Sequence, residues 1–512
     1  MLVKTFGSAV YGVNATTITV EVDLSGGVNF ILVGLPDGAV KESQKRIVAA
    51  LNNCNFKYPR HSFTVNMAPA DIRKEGSAYD LTIALGILAS SQQMMQDELE
   101  KYIVMGELSL DGGLQPIKGV LPIAIQAARE NFKGFILPKQ NAREAAIVSK
   151  LDVYGVENIA DVVQFLNGEK KLDRVTVNAE EEFKINQGKS EFDFSDVRGQ
   201  ENIKRAMEVA AAGGHNIILI GPPGAGKTML AKRLPTILPP LTLNEALETT
   251  KIHSVAGKLG KESSLVCIRP FRSPHHTISD VALVGGGGFP QPGEISLAHN
   301  GVLFLDELPE FKRTVLEVMR QPLEERTVTI SRAKFSIEYP ASFMLVASMN
   351  PCPCGFYNHP DKQCVCAAGV VPKYLNRISG PLLDRIDIHL EVTPVPFKEL
   401  TSLRTGEKSD TIRERVVKAR KIQAERFSGF DNIYCNAQMN TKLLHQVCEL
   451  SDDCNSILKT AMEKLGLSAR AYDRILKVSR TIADLDGSEN IRAEHLSEAI
   501  QYRSLDREGW AG

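Results

Sequence analysis

The chain has 512 residues, with 60 basic and 61 acidic side chains and a formal net charge of −1. This length predicts about three domains, and the balanced charge excludes a protein-wide positive field, so a nucleic-acid partner would need local basic patches. A charged start with an apolar h-region and an apolar run of about 18 residues are both absent, which predicts a cytoplasmic protein with no membrane span.

The first part of the chain alternates strand and helix patterns. These patterns predict an α/β domain over residues 1–166, with strands at 17–24, 30–33 and 63–67 and helices at 40–51 and 81–90. The polar, charged residues 167–190 predict an interdomain linker, and a solvated edge hairpin is the alternative. Residues 191–396 alternate apolar strands with helices, which predicts a second α/β domain with a parallel sheet covered on both faces.

A phosphate-binding loop follows the apolar strand 217–220. Eight residues match the P-loop pattern G-x-x-x-x-G-K-[ST], namely Gly221, Pro222, Pro223, Gly224, Ala225, Gly226, Lys227 and Thr228. The glycines let backbone N–H groups turn toward phosphates, and the next helix directs its positive dipole end at the same charge. We expect Lys227 to contact the β and γ phosphates of ATP and Thr228 to ligate Mg²⁺.

Two acidic residues end the apolar strand 302–305. Because the carboxyl ends of parallel strands share one edge of a sheet, Asp306 and Glu307 should lie beside the P-loop. We predict that Asp306 holds Mg²⁺ through its water shell and that Glu307 polarises the attacking water. A strand that merely ends in solvated acids is the alternative.

Two further polar residues complete the predicted hydrolysis site. Asn350 follows the strand 343–347, where its carboxamide could orient water or contact the γ-phosphate as a sensor. Arg385 follows a Gly-Pro break and is the candidate arginine finger, offered to the ATP of a neighbouring subunit. Because Asp384 and Asp387 flank it, a structural ion pair is the alternative.

Four of the nine cysteines occur as two C-x-C pairs separated by nine residues. Cys352, Cys354, Cys364 and Cys366 suit a closed tetrahedral zinc site, with His359 as a possible substitute ligand. Two residues between paired cysteines is the commoner zinc spacing, so plain reduced thiols are the alternative.

The last part, residues 397–512, predicts a helical domain. Helices are expected at 411–426, 441–449, 456–465, 469–485 and 492–503, with Asn440, Ser468 and Asn490 as N-terminal caps. Residues 404–426 are strongly basic, and Ile412, Val416, Ala419 and Ile422 are expected to form the buried stripe of one amphipathic helix.

Together these motifs resemble AAA+ ATPases of the magnesium-chelatase-like branch. The match runs from about residue 192 to 505 and includes Gly199-Gln200 before the P-loop, the acidic pair, Asn350 and the residues Leu382 to Arg385. The sequence motifs at 272–276, 350–355 and 379–387 follow a separate first domain, and this combination resembles the YifB/ComM family more specifically. The resemblance implies that residues 397–512 form a lid, that Arg385 acts in trans and that Arg470 is a sensor on a lid helix. It also implies that the protein forms a homo-oligomeric, hexameric ring.

The first domain resembles the Lon-type protease domain through residues 74–80, 106–112 and 116–121. That family uses a serine nucleophile and a lysine base, and the matching positions hold Ala78 and Leu121, which can neither attack nor transfer a proton. Ser77 and Lys118 lie nearby but out of register. The resemblance therefore implies an inactive domain that serves assembly or DNA contact.

The resemblance also implies ATP-driven branch migration on single-stranded and branched DNA during natural transformation. Glycines 285–288 and four basic residues lie in a segment that could track a phosphate backbone, namely Arg269, Arg272, His275 and His276. A mobile surface loop without a ligand is the alternative. Three other functions stay open: a protein-remodelling or Lon-like protease-associated ATPase, the motor subunit of a magnesium chelatase, and a nucleotide-gated scaffold.

Overall fold

The computed structural model describes residues 1–186, 191–260, 264–288, 290–332, 335–357, 359, 361–395, 406–430 and 432–503. Phe289, residues 187–190, 396–405 and 504–512 lie outside this set, so the predicted boundary between core and lid at 396–397 is outside the described residues. Within the described part of the chain, every helix is too short or too polar to cross a lipid bilayer.

The first domain is built on a seven-stranded mixed sheet in the order β3-β4-β2-β1-β5-β8-β9. Its strands are β1 Leu2–Tyr11, β2 Asn14–Ser25, β3 Phe30–Val33, β4 Ser62–Ala68, β5 Tyr102–Val104, β6 Glu107–Leu108, β7 Leu114–Gln115, β8 Gly134–Pro138 and β9 Asp152–Val156. Its helices are α1 Gly38–Lys41, α2 Ser43–Asn53, α3 Asp80–Ser90, α4 Val120–Arg129, α5 Ala142–Ala145 and α6 Ile159–Leu166. Every residue of α3 is buried, because this helix is apolar all round and lies against β1 and β2. The predicted mixed α/β character is confirmed.

The segment predicted as a linker contains a helix, α7 Ala179–Asn186. Ala179 and Phe183 on this helix pack against an apolar cluster that joins the first domain to the second. Part of the predicted linker is therefore helical and packed through a few apolar side chains. The average composition of the segment is polar, so it did not indicate this contact. The exact domain limits stay a prediction.

The second domain contains a five-stranded parallel sheet in the order β11-β14-β17-β10-β18. Its strands are β10 Ile217–Ile220, β11 Phe271–Arg272, β14 Val302–Leu305, β17 Met344–Met349 and β18 Ile388–Glu391, with two hairpins, β12 Gly285–Gly286 with β13 Gln291–Pro292 and β15 Thr327–Arg332 with β16 Phe335–Pro340. Its helices are α8 Glu201–Gly213, α9 Lys227–Ile237, α10 Leu243–Val255, α11 Asp280–Val284, α12 Glu294–Leu297, α13 Arg313–Glu317, α14 Arg320–Glu325, α15 Val370–Leu375 and α16 Gly380–Leu383. The strands β10, β14 and β17 are buried along their whole length, as expected for a sheet with both faces covered.

Within residues 406–430 and 432–503, the last part of the structure contains five helices: α17 Ser409–Arg426, α18 Thr441–Val447, α19 Asp452–Leu465, α20 Ala469–Leu485 and α21 Ala493–Gln501. The predicted caps Asn440 and Ser468 each accept a backbone hydrogen bond from the first turn. The third predicted cap, Asn490, is wrong: the cap is Arg492, whose backbone N–H donates to His495 Nδ1 at 3.1 Å. This side-chain bond to a histidine has no simple sequence signature.

The buried stripe of α17 also differs from the prediction at one position. Ile412, Val416 and Ala419 are buried, but Ile422 is half exposed and Gln423 is buried in its place. The Gln423 amide donates to the carbonyl of Ala212 at 3.1 Å, so a polar side chain is satisfied inside the helix contact.

The two α/β domains meet at an apolar seam around Leu121, on α4, and α10 of the second domain. The carboxylate of Glu144 accepts hydrogen bonds from the Leu121 backbone N–H at 2.9 Å and the Ser254 hydroxyl at 2.5 Å. Burial raises the pKa of Glu144, and these hydrogen bonds only partly oppose that effect. Leu121, which the resemblance to Lon-type proteases sets at the position of the base, is thus part of a structural contact between domains.

Candidate nucleotide-binding and hydrolysis site

The P-loop connects the end of β10 to the start of α9. Gly224 and Gly226 have φ angles of 80° and 86°, a left-handed conformation that favours glycine. At Gly221, a Cβ atom would lie 2.2 Å from the carbonyl oxygen of Val392, so this close approach of two backbones also requires glycine. The glycines of the motif are therefore explained by the backbone path itself.

Lys227 lies inside this loop, with its side chain 9% exposed. Its ammonium donates to the carbonyls of Gly221 at 2.6 Å and Pro222 at 3.0 Å, and to Asn350 Oδ1 at 3.1 Å. Burial lowers the pKa of Lys227, while Asp306 and Glu307 oppose that shift. The structure thus brings the predicted phosphate-binding lysine, the predicted sensor and the acidic pair to one edge of the sheet.

Thr228 and Asp306 form an oxygen-rich pair beside Lys227. The Thr228 hydroxyl donates to Asp306 Oδ2 at 2.8 Å, and the Ser348 hydroxyl donates to the other carboxylate oxygen. A hydroxyl and a carboxylate in contact are ligands that suit Mg²⁺, so the residues fit the predicted ion. Ser348 was not predicted as a site residue. The parallel pairing of Leu305 with Ala347 in the structure sets the residue after each of them side by side, which brings Ser348 next to Asp306.

Glu307 follows Asp306 with a left-handed backbone, φ 54°, and a side chain that is 55% exposed. Its Oε2 atom lies 3.2 Å from Nδ1 of His276. The sequence placed His276 among candidate DNA contacts, and the structure places it against the predicted catalytic carboxylate.

Arg385 and Arg470 lie near the amino ends of the parallel strands, whereas the P-loop lies at their carboxyl ends. Arg385 precedes β18, which runs parallel to β10 in register, with Ile217 opposite Ile388 and Ile220 opposite Glu391. The P-loop leaves the carboxyl end of β10, whereas Arg385 lies before the amino end of β18, and a four-residue strand spans roughly 13 Å. Neither the predicted finger nor the residues around it therefore sit beside the P-loop of the same chain.

The flanking acids do not neutralise Arg385. The Arg385 guanidinium pairs with Glu324 on α14, and its side chain is 11% exposed. Asp384 instead pairs with Arg470 at 2.6 Å, and this arginine is largely exposed. Arg470 is thus on the surface whereas Arg385 is nearly buried, and Asp384 links the loop before β18 to helix α20.

Asp387 forms a buried ionic group at the base of the same loop. Arg474 on α20 lies 2.9 Å from one carboxylate oxygen, and His215 lies 3.5 Å from the other. Although burial opposes it, the charge of Arg474 together with His215 holds the pKa of Asp387 well below its usual range. This pairing fixes the loop against the lid.

The four cysteines of the C-x-C pairs converge, with all four Sγ atoms within 4.8 Å of one another. The Sγ separations include 3.2 Å for Cys352 to Cys354 and 3.7 Å for Cys352 to Cys364. Four thiolates around a tetrahedral zinc ion with bonds of about 2.3 Å would be roughly 3.8 Å apart, so the donor set fits zinc. His359 lies outside this group, and its Nδ1 accepts from the backbone of Asp361.

The cysteine loop also contacts the P-loop. A Cβ atom at Gly355 would lie 2.4 Å from the ring of Pro223, so the two loops touch at a position that only glycine permits. Burial raises the pKa of Cys354, but hydrogen bonds from the Phe356 backbone and the Cys352 thiol outweigh it and bring that pKa to about 6. Although backbone hydrogen bonds oppose it, burial and hydrogen bonds with the Cys354 thiol raise the pKa values of Cys364 and Cys366, so the fit to a metal rests on the positions of the four sulfur atoms.

Two of the four basic residues singled out for DNA have internal roles instead. Arg269 donates to the carbonyls of Pro239 at 2.5 Å and Asn300 at 2.7 Å. Arg272 forms a bidentate pair with Glu294, at 2.6 and 2.7 Å. These two arginines brace the strand β11, and His275 is the exposed member of the set.

Three family descriptions match successive parts of the chain: "Subunit ChlI of Mg-chelatase" over residues 20–141, "Magnesium chelatase, subunit ChlI" over 193–400, and "Magnesium chelatase, subunit ChlI C-terminal" over 406–503. With the parallel sheet, the P-loop and the helical end, they define a magnesium-chelatase-like AAA+ ATPase.

Full-length relatives identify the family within this class. The chain is 48% identical over 507 residues to Competence protein ComM of Haemophilus influenzae, covering 98% of this chain and 97% of the relative. It is 43% identical over 502 residues to Uncharacterized protein YifB of Escherichia coli, covering 98% and 96%. The chain belongs to the ComM/YifB family. A shorter similarity, 33% over 159 residues, covers 28% of this chain and 27% of Lon protease 2 of Bacillus subtilis.

Proposed function

We propose that the protein is a ring-forming ATPase that couples ATP hydrolysis to branch migration of DNA, acting in the cytoplasm on single-stranded and branched recombination intermediates during natural transformation. The observation that supports a ring is the separation of the proposed catalytic groups. Lys227 and Glu307 lie at the carboxyl ends of the parallel strands, and Arg385 lies near their amino ends. The DNA substrate is supported by full-length similarity to a relative named as a competence protein.

In this proposal ATP binds along the P-loop, from Gly221 to Thr228. Lys227 contacts the β and γ phosphates, and Thr228 with Asp306 holds Mg²⁺, which neutralises charge on the phosphates when bound. Glu307 accepts a proton from the attacking water, and Asn350, already bonded to Lys227, senses the γ-phosphate. The products are ADP and inorganic phosphate.

The neighbouring subunit completes the site with Arg385 and Arg470. An arginine from a second subunit stabilises charge on the transferred phosphoryl group. Within the described residues, Nε of Arg385 is buried without a hydrogen-bond partner. An unsatisfied buried donor is costly, which favours a change of partner when the next subunit arrives. A hexamer is the ring size that the family resemblance implies.

The four cysteines hold zinc in a structural role, and the metal stabilises the loop that rests on Pro223. Replacing Cys352, Cys354, Cys364 and Cys366 by serine should remove one zinc per chain, measured by metal analysis, and weaken ATP binding. Serine at Cys267, a cysteine outside the cluster, is the matched control. An unchanged zinc content would contradict this role.

The competing function, a protease-associated or protein-remodelling ATPase, is less well supported. Ala78 and Leu121 occupy the two catalytic positions of the related protease, and Leu121 is enclosed in the seam with the ATPase core. The first domain serves as a docked scaffold in our proposal.

The test offers the purified full-length protein forked, three-stranded and four-stranded DNA with ATP and Mg²⁺, and in parallel an unfolded protein. We expect ATP-dependent strand exchange, absent with a non-hydrolysable analogue, and no protein unfolding. Unfolding of the protein substrate without any requirement for DNA would reverse the ranking of the two functions.

A further inference from the structure

Asn216, the residue before β10, holds the turn that carries Arg385. Its side-chain Nδ2 donates to the carbonyl of Arg385 at 3.0 Å, and its backbone N–H donates to Asp387 Oδ2 at 3.0 Å. Its backbone carbonyl accepts from the N–H groups of Asp387 at 2.9 Å and Ile388 at 3.0 Å. One residue therefore makes four hydrogen bonds to residues 385–388.

The amide of Asn216 is also tied to β17, which lies on the side of β10 away from β18. Its Oδ1 accepts from the backbone N–H of Leu345 at 2.8 Å. Turning the amide over would set its NH₂ group against the Leu345 N–H and its oxygen against the Arg385 carbonyl, so one orientation is favoured. The amide thus joins β17 to the turn before β18, across the start of β10.

The guanidinium of Arg385 is held by groups that can give way. Its Nη2 pairs with Glu324, whose side chain is 58% exposed, and its Nη1 donates to the carbonyl of Pro381 at 2.5 Å. An ion pair with an exposed carboxylate contributes little stability, so the guanidinium can leave Glu324 when the phosphates of a neighbour's ATP arrive. The hydrogen bonds from Asn216 then fix the backbone from which the side chain extends.

We propose that Asn216 is a positioning residue that sets Arg385 for the ATP of the neighbouring subunit. The carbonyl that Asn216 holds is bonded directly to the Cα atom of Arg385, so a shift of this turn moves the guanidinium with it. A misplacement of about 1 Å can lower the rate of catalysis by about a hundredfold. This inference rests on the proposed function and names the residue through which one subunit aims its arginine at the next.

The test measures steady-state ATP hydrolysis by the full-length variant Asn216→Asp. Aspartate has nearly the same size, and one of its oxygens can still accept from Leu345, but the other meets the Arg385 carbonyl without a proton to donate. We expect kcat to fall by about tenfold to a hundredfold with the KM for ATP unchanged. Asn490→Asp, at an exposed asparagine after α20, is the matched control and should match the wild type.

Mixed rings show which subunit's ATP is affected, because Asn216 also precedes the strand that leads to the P-loop of its own chain. Mixing Asn216→Asp with Lys227→Ala should restore part of the activity, since the second chain supplies an intact Asn216 and Arg385 to the intact P-loop of the first. Mixing Asn216→Asp with Arg385→Ala should restore none, since neither chain supplies a well-placed arginine. The reverse pattern would mean that Asn216 acts on its own P-loop and would overturn the proposal.

Thermal melting and binding of an ATP analogue are measured first for each variant, and Asn216→Ala replaces Asn216→Asp if the aspartate variant melts early. If neither variant binds the analogue, Asn216 supports the fold and the proposal is overturned. An unchanged kcat in a folded variant also overturns it and leaves the proposed function intact. Failure of Lys227→Ala mixed with Arg385→Ala to regain activity would instead remove the shared site on which both proposals rest.

Discussion

The first domain and the ATPase core differ in whether their candidate catalytic positions are buried or accessible. In the first domain, Leu121 stands where the resemblance to Lon-type proteases sets the base, and it is buried against α10 in an interdomain contact. In the core, Asp306 and Glu307 leave a buried strand and face an open edge of the sheet. Both domains have a well-packed sheet, so packing alone does not distinguish the candidate hydrolysis site from the corresponding surface of the first domain.

The distinguishing feature is what surrounds the reactive positions. A working hydrolysis site needs polar groups that are accessible to substrate and supported by other polar groups, as Thr228, Ser348 and Asn350 support Asp306 and Lys227. Leu121 is enclosed by side chains that a substrate could not displace without separating the domains. We therefore expect changes in the core to alter chemistry and changes in the first domain to alter stability.

The largest expected effect is at Arg385. Arg385→Ala should reduce kcat by about a thousandfold or more, since a lost arginine finger costs that much, with ATP affinity unchanged. Mixing Arg385→Ala with Lys227→Ala should restore part of the activity, because mixed interfaces combine an intact P-loop with an intact arginine. Arg377→Ala, at an arginine paired with Glu310, is the control. A mixture as inactive as its components would contradict the assignment in trans.

Glu307→Gln should lower kcat by roughly a hundredfold to ten-thousandfold, the range for loss of a general base. ATP should still bind, because the amide leaves Lys227 and the Mg²⁺ ligands in place, and the ring should stay assembled around trapped ATP. Single-turnover hydrolysis and size measurement check this. Glu310→Gln, three residues further along, should hydrolyse ATP at the wild-type rate, and rapid hydrolysis by Glu307→Gln would remove Glu307 from its role.

Leu121→Ala should lower the free energy of unfolding by about 2 to 5 kcal/mol, because it leaves a cavity in the seam. Leu110→Ala, at an exposed leucine of the same domain, should change it by less than about 0.5 kcal/mol. The double variant Ala78→Ser with Leu121→Lys should show no peptidase activity. Appearance of peptidase activity would mean that the domain is a dormant protease and would break the comparison.

Glu144 offers the smallest effect, a pH dependence of the seam. Because burial raises the folded-state pKa of Glu144 above its usual 4.5, its contribution is complete below that pH and is lost as the pH rises through the folded-state pKa. The melting temperature should therefore fall as the pH rises above 4.5 and through the raised folded-state pKa. Glu144→Gln should abolish this part of the dependence. An identical pH profile in the variant would show that Glu144 is already ionised in the seam.

Much of the fold and part of the site follow from local sequence. The P-loop, the acidic pair and the parallel sheet could be predicted because each depends on a continuous stretch of residues. Backbone conformation and burial along a strand depend mainly on near neighbours in the sequence. His276 against Glu307 and Gln423 in place of Ile422 depend on residues far apart in the chain, so no local pattern could show them. The Asn490 cap was wrong for a different reason: Arg492 and His495 are only three residues apart, but neither is one of the side chains that usually cap a helix.

The separation of Arg385 from the P-loop has a kinetic consequence. An enzyme whose catalytic groups are divided between copies turns over substrate only where two copies touch. On dilution, the rate per chain should therefore decline toward zero instead of staying constant, and below the assembly threshold the total rate should grow faster than linearly with protein concentration. The cell could then limit ATP consumption simply by the number of chains that it makes.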